Sequence, residues 1–183
     1  MIQAVNIVRQ RLNRVATALV AADIQYAVIG DNAISAWIAR TDPSAVRNTF
    51  RTEILLNRTD FDKAKASLST AGFVHDPKES GTPFLDGCEG KRRNAVQLLF
   101  TGERVRSEDT FIAPSISMSQ LLDGLQVLNL DPLVRMQLES NRTNDRVNIC
   151  DLIDVGLVDA SWLPRLPSEL AERLQLLLDD PEG

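Results

Sequence analysis

Apolar residues Val5, Val8, Leu12, Val15 and Leu19 recur at steps of three and four, which predicts an amphipathic helix over residues 2–22 with one buried stripe. Tyr26, Ala27, Val28 and Ile29 then form a short apolar run closed by Gly30. A helical repeat of Ala33, Ile34, Trp37 and Ile38 follows Asp31 and Asn32, so the segment reads as strand, tight turn, helix. The breaker Thr41, Asp42, Pro43, Ser44 ends that helix, and the run Ile54, Leu55, Leu56 predicts a strand starting near Thr52. Asp60 is placed to cap a helix bearing Phe61, Ala64, Lys65 and Leu68, which stops at Ala71 and Gly72. His75 sits at a strand end. Residues 76–93 are polar and turn-rich apart from Phe84 and Leu85, giving a loop with room for one strand. Residues 95–100 alternate as a strand, with Val96, Leu98 and Phe100 on one face and Gln97 and Leu99 on the other.

The character then changes. A strand at 125–128 closes the sheet, and everything beyond Asp131 reads as helix. Asp131 and Pro132 predict an N-cap followed by proline at the first helical position. Residues 146–157 predict a second helix with Val147, Cys150, Ile153 and Leu157 inward. Pro167 opens a third, with Leu170, Leu174 and Leu177 inward. The expected fold is α+β: a mixed β-sheet with helices packed mainly on one face, followed by a helical C-terminal portion. It forms one domain over residues 1–183, with an α/β core at 1–128 and the helical portion at 129–183, and neither repeat nor linker divides it.

Composition narrows the partners. The 183 residues are 44% hydrophobic and 25% charged, enough for a core that needs no disulfide or structural metal. The net charge of -5 repels phosphate backbones and anionic lipid, so broad nucleic-acid or membrane binding is disfavoured. Arg9, Arg11 and Arg14 fall within the first helical pattern and do not make it a transit peptide. Cys88 and Cys150, without a secretory segment, predict reduced thiols in a cytoplasmic protein. His75 has no nucleophile spaced to pair with it. Lys91, Arg92 and Arg93 read as a solvated turn, and Trp37 and Trp162 as core.

A strand closed by Gly30 and leading into a helix offers free N–H groups to an anion, although Asp31 as an N-cap would compete for them. With that turn ahead of Arg47-Asn48-Thr49-Phe50-Arg51-Thr52-Glu53-Ile54-Leu55-Leu56, the chain resembles the nucleotidyltransferase superfamily. The similar branch is that of the minimal nucleotidyltransferases and abortive-infection (AbiE-type) toxins. The resemblance continues through residues 94–106, 133–138 and 145–156. It implies a nucleotidyltransferase-like fold and transfer of a nucleoside monophosphate from a nucleoside triphosphate to an acceptor hydroxyl, with two magnesium ions.

Such a centre holds its ions roughly 3.5–4 Å apart with several converging carboxylates. The positions matching the family's metal-binding carboxylates are Arg51, Glu53 and Gln97, so one carboxylate of three is present and no metal-ligand set is assigned. Arginine cannot ligate a metal and keeps its charge. Gln137 stands where the family often has a lysine. Gly30, Asp31, Asn32, Gln137 and Asp151 are the candidate nucleotide-binding positions. Asp145, Asp151 and Asp154 also read as structural: Asp145 as a helix N-cap, the other two paired with Arg135 or Arg142.

Three readings fit these residues. One is an active, magnesium-dependent enzyme using Glu53 with Asp31, Asp151 or Asp154. Another is a pseudoenzyme binding a nucleotide or other anion, with Arg51 replacing metal charge. The third is a protein-binding, antitoxin-like component. The matching partners are a nucleoside triphosphate, another protein, or a second copy of the chain.

Overall fold

The computed structural model describes residues 2–47, 49, 51–77, 82–105 and 111–180, with side chains from residue 8 onward. Its strands are β1 (Tyr26–Ile29), β2 (Thr52–Leu56), β3 (Phe73–His75), β4 (Pro83–Asp86), β5 (Val96–Phe100), β6 (Ser119–Leu122) and β7 (Leu125–Leu128). Its helices are α1 (Ile2–Ala21), α2 (Gly30–Thr41), α3 (Phe61–Thr70), α4 (Leu130–Ser140), α5 (Thr143–Asp154) and α6 (Ser168–Asp179). The strands form one mixed sheet in the order β3-β4-β5-β2-β1-β7-β6. β5 and β2 run parallel, as do β1 and β7, while β1 and β2 are antiparallel. The α+β architecture and the C-terminal helices follow the apolar pattern.

The central strands carry near-continuous apolar runs because they are buried on both faces. Ile54, Leu55 and Leu56 alternate faces, yet each is fully buried, so β2 is covered on both sides. This corrects the expectation of helices on one face mainly. The α1 stripe is inward as its period requires, with Leu12, Val15 and Leu19 buried; Val5 lies outside the described side chains. Val74 and Leu85 pair across β3 and β4, so His75 ends a strand and residues 76–93 hold one strand, as the pattern allowed. β6 was not foreseen. It is the far edge of the sheet, and its Leu121 faces solvent.

The C-terminal portion departs from the pattern in its caps. α4 starts at Leu130 with Asn129 at the cap position, so Asp131 lies in the first turn. There its carboxylate takes Arg135 at 2.8 Å and Arg165 at 3.2 Å. α5 starts three residues early, and its buried face is Asn148, Ile149 and Leu152. Val147, Cys150, Ile153 and Leu157 are only half-buried, because a polar residue shares the core stripe and rotates the apolar count. In α6, Leu170, Leu174 and Leu177 are buried as expected. Trp162 is buried, but Trp37 is half-buried, its indole N–H donating to the Leu128 carbonyl at 3.0 Å.

One polar cluster ties α1 to the opposite edge of the sheet. Arg11, only 4% exposed, meets the Asp86 carboxylate at 3.1 Å, and Arg14 meets it at 2.6 Å while its guanidinium lies 4.5 Å over the Phe73 ring. Burial raises the Asp86 carboxyl, but hydrogen bonds from Arg14 and Arg11 outweigh it and hold the group below its ordinary value. A depressed carboxyl stabilises the fold above its unfolded pKa, and that contribution is lost as pH falls through the folded value. Asp86→Asn should therefore lower stability in urea by about 3 kcal/mol at pH 7, because it removes the carboxylate that the buried Arg11 shares with Arg14. The difference from wild type should shrink below pH 4.

Candidate functional site

The site begins where β1 passes into α2 without a linker. Gly30, the first residue of α2, has φ +62°, and a β-carbon there would stand 1.7 Å from Oε2 of Glu53. The glycine is required twice, for its left-handed backbone and for the carboxylate lying against it. Ile29 pairs with Glu53 across β1 and β2, and Glu53 with Gln97 across β2 and β5, so Gln97 lies beside Glu53 on the same face. Arg51 sits two residues before Glu53, outside β2 and exposed.

Asp31 does not cap α2. Ile29 holds the cap position, and the Asp31 carboxylate accepts a hydrogen bond on each oxygen: from Thr49 Oγ1 at 3.1 Å and from Asn148 Nδ2 at 2.9 Å. Asn148 Nδ2 also donates to Gln137 Oε1 at 3.1 Å, both side chains being buried. The Asn32 side-chain amide donates to the Arg51 carbonyl. Through these bonds α2, the segment before β2, α4 and α5 are joined around one point.

Glu53 lies in conflict with its surroundings. Burial, the largest effect, together with Asp31 and, less strongly, Asp145 pushes its carboxyl up to about 7 against the opposing charges of Arg51 and Arg142. Asp145 is the third residue of α5, not its cap, and accepts from the Arg142 backbone N–H at 3.2 Å. Asp151 pairs with Arg47, Nη1 standing 3.2 Å and 3.3 Å from its two oxygens. Neither Arg135 nor Arg142 is its partner, as the sequence suggested, because Arg135 turns to Asp131. Burial raises the Asp151 carboxyl more than Arg47 lowers it. Asp154 is exposed.

A cleft of about 260 Å³ opens beside this cluster. Ile34, Ile38 and Val147 form its apolar wall, Ser35, Thr49, Asn144 and Asn148 offer hydrogen bonds, and Arg47, Arg51, Arg93, Asp31 and Asp151 carry its charges. Of the positions foreseen from sequence, Asp31, Arg51 and Asp151 line the cleft; Gly30, Asn32, Glu53 and Gln97 lie at the turn and strand ends behind it, and Gln137 is reached through Asn148. Sequence reasoning missed Arg47, Thr49, Asn144 and Asn148, and it placed Arg93 in a solvated turn. Only Asn148 carried a usable signal, a polar residue three after Asp145 and four before Leu152, on the buried face of its helix.

The donor set does not fit a two-ion centre. Among the described residues no three His, Cys, Asp or Glu side chains converge in a way that could hold a metal ion. The Arg51 charge acts on Glu53, so a divalent ion brought to that carboxylate would meet a fixed cation beside it.

Comparison with solved structures identifies the fold as that of the nucleotidyltransferases. The antibiotic-resistance factor ANT(2'')-Ia, solved in complex with adenylyl-2''-tobramycin, is similar with TM-score 0.54 at 12% identity, over 95% of this chain and 98% of that one. A candidate nucleotidyltransferase from Helicobacter pylori is similar with TM-score 0.53 at 14% identity, over 98% and 78%. JHP933, also from Helicobacter pylori, gives 0.52 at 16% identity, over 98% and 76%. No protein-family model and no curated protein sequence matches the chain. Among the described residues no helix is long and apolar enough to cross a membrane.

Two measurements check this geometry. A carboxyl raised on folding binds more protons in the folded state, so its contribution to stability is full below about pH 4.5 and is lost as pH rises through about 7. Wild type should therefore lose up to about 3 kcal/mol relative to Glu53→Gln between pH 5 and pH 8, by urea denaturation. Gly30→Ala should cost about 3 kcal/mol or more, and in a Glu53→Ala background the same change should cost only the backbone strain, about 1–2 kcal/mol.

Proposed function

We propose that this chain is a nucleotidyltransferase-fold protein that binds a nucleotide in the cleft between α2, α5 and the segment before β2, without the metal-dependent transfer step. The observation that carries the reading is the Arg51 charge acting on Glu53, the position that the resemblance matches to a metal-binding carboxylate. A fixed cation beside Glu53 raises the energy of any divalent ion brought there.

The remaining chemistry suits binding. The apolar wall of Ile34, Ile38 and Val147 accepts the face of a base, while Ser35 and Asn144 supply donors and acceptors for its polar edge or for a ribose. These residues hold and orient a ligand. The alternative is an antitoxin-like protein-binding component. Membership in the AbiE-type branch belongs with the same proposal and rests on the order of motifs along residues 47–156.

The test is a melting-temperature series with each of the four nucleoside triphosphates at millimolar concentration, in EDTA and in magnesium, beside an assay of pyrophosphate release. The expected result is stabilisation by at least one triphosphate in EDTA, by about 2.7 kcal/mol at 100 times its dissociation constant, with no pyrophosphate released. Magnesium-dependent pyrophosphate release that disappears in Glu53→Gln would overturn the reading in favour of an active enzyme.

A further inference from the structure

The charge of the cleft runs against that of the chain. The whole protein carries -5, yet the cleft is lined by three arginines, Arg47, Arg51 and Arg93, against two aspartates, Asp31 and Asp151. Both oxygens of Asp31 are turned to Thr49 and Asn148, so hydrogen bonds from neutral donors already disperse its charge. The topology explains why the arginines meet. β2 and β5 are parallel neighbours with Thr52 opposite Val96, so the residues leading into both strands lie at the same end of the sheet. Arg51 immediately precedes β2, and Arg93 lies on the short 3-10 turn that leads into β5.

The three side chains are also available. Arg51 and Arg93 are exposed, and among the described residues neither forms a salt bridge within 4.0 Å. The backbone of Arg51 is anchored, because its carbonyl accepts from Asn32. Arg47 is held by Asp151 through Nη1 alone, and its side chain is 59% exposed, so its other donors are open. Guanidinium groups match phosphate oxygens in pairs of parallel hydrogen bonds, and they carry positive charge without needing a carboxylate cage to hold it.

We infer that Arg51 and Arg93, joined by Arg47 when it leaves Asp151, form a metal-independent clamp for the phosphate groups of the ligand. This rests on the nucleotide reading above and adds to it the chemistry of recognition. The clamp does with fixed guanidinium charge what the fold does elsewhere with bound cations. Asp151 competes with the ligand for Arg47, so the empty cleft holds an internal carboxylate where the occupied one holds a phosphate. The cavity, about 260 Å³, lies just below the roughly 300–1,000 Å³ usual for whole-ligand pockets, so part of a nucleotide extends beyond it.

Inorganic pyrophosphate is the probe, because its binding does not depend on the identity of the base. Its affinity is measured by isothermal titration in EDTA for wild type, Arg51→Gln, Arg93→Gln and Asp151→Asn, alongside the triphosphate series. Pyrophosphate should bind wild type in EDTA and weaken with added salt. Arg51→Gln and Arg93→Gln should each weaken it about tenfold or more, the scale of a lost charged hydrogen bond. Asp151→Asn, which frees Arg47, should tighten it about threefold. Both arginines are exposed, and unchanged melting temperatures of the ligand-free variants show that they fold. If a triphosphate binds but pyrophosphate does not, or if pyrophosphate binds both arginine variants as tightly as wild type, the clamp is wrong while the nucleotide reading stands. If neither binds with or without magnesium, both fail.

Discussion

The contact on which the rest of the site depends is that of the Glu53 carboxylate against the backbone of Gly30. It lets β1 turn into α2 with no intervening residue, which aims the first turn of the helix at the segment before β2. Asp31 and Asn32 then fall within reach of Thr49 and the Arg51 carbonyl. A side chain of any size at residue 30 would push Glu53 away and open the strand ends. The carboxylate is costly where it lies, since burial and the charges of Asp31 and Asp145 oppose its ionisation, and Arg51 and Arg142 only partly offset them.

The cluster can be understood as a solution to charge repulsion. Three acidic groups, Asp31, Glu53 and Asp145, are brought near one another at the sheet end. In a metal centre divalent ions cancel such repulsion. Within the protein, Thr49 and Asn148 donate to Asp31, the Arg142 backbone donates to Asp145, and the Arg51 and Arg142 charges act on Glu53. The same donors that quiet the carboxylates leave the arginines nearer the cleft mouth as its dominant charges.

The central strands were legible because burial on both faces writes an uninterrupted apolar run, as in residues 26–29 and 54–56. β6 was not, since an edge strand of four residues with Ser119 and Gln120 leading carries no alternation to detect. The caps of α4 and α5 were misplaced for a different reason. Asp131 and Asp145 are good cap residues, but each sits inside the first turn, where a tertiary or backbone partner outweighs local preference. The turn at Gly30 and its relation to Glu53 could be reached from the order of motifs. The partners of Asp31 and Asp151 could not, because Asn148 is 117 residues from the first and Arg47 is 104 from the second. Nothing local marks such pairs.

The buried pair between Arg11 and Asp86 has a consequence in time as well as energy. The two residues are 75 apart in sequence, and Asp86 lies at the end of β4, a strand that pairs with both β3 and β5. During synthesis α1 emerges first, but Arg11 and Arg14 cannot meet Asp86 until the ribosome has released nearly half the chain. Until then the helix can associate with its neighbours only through its apolar stripe, and its final seating must await a long loop closure. The N-terminal helix is thus among the first elements made, yet its seating against the sheet waits for β4.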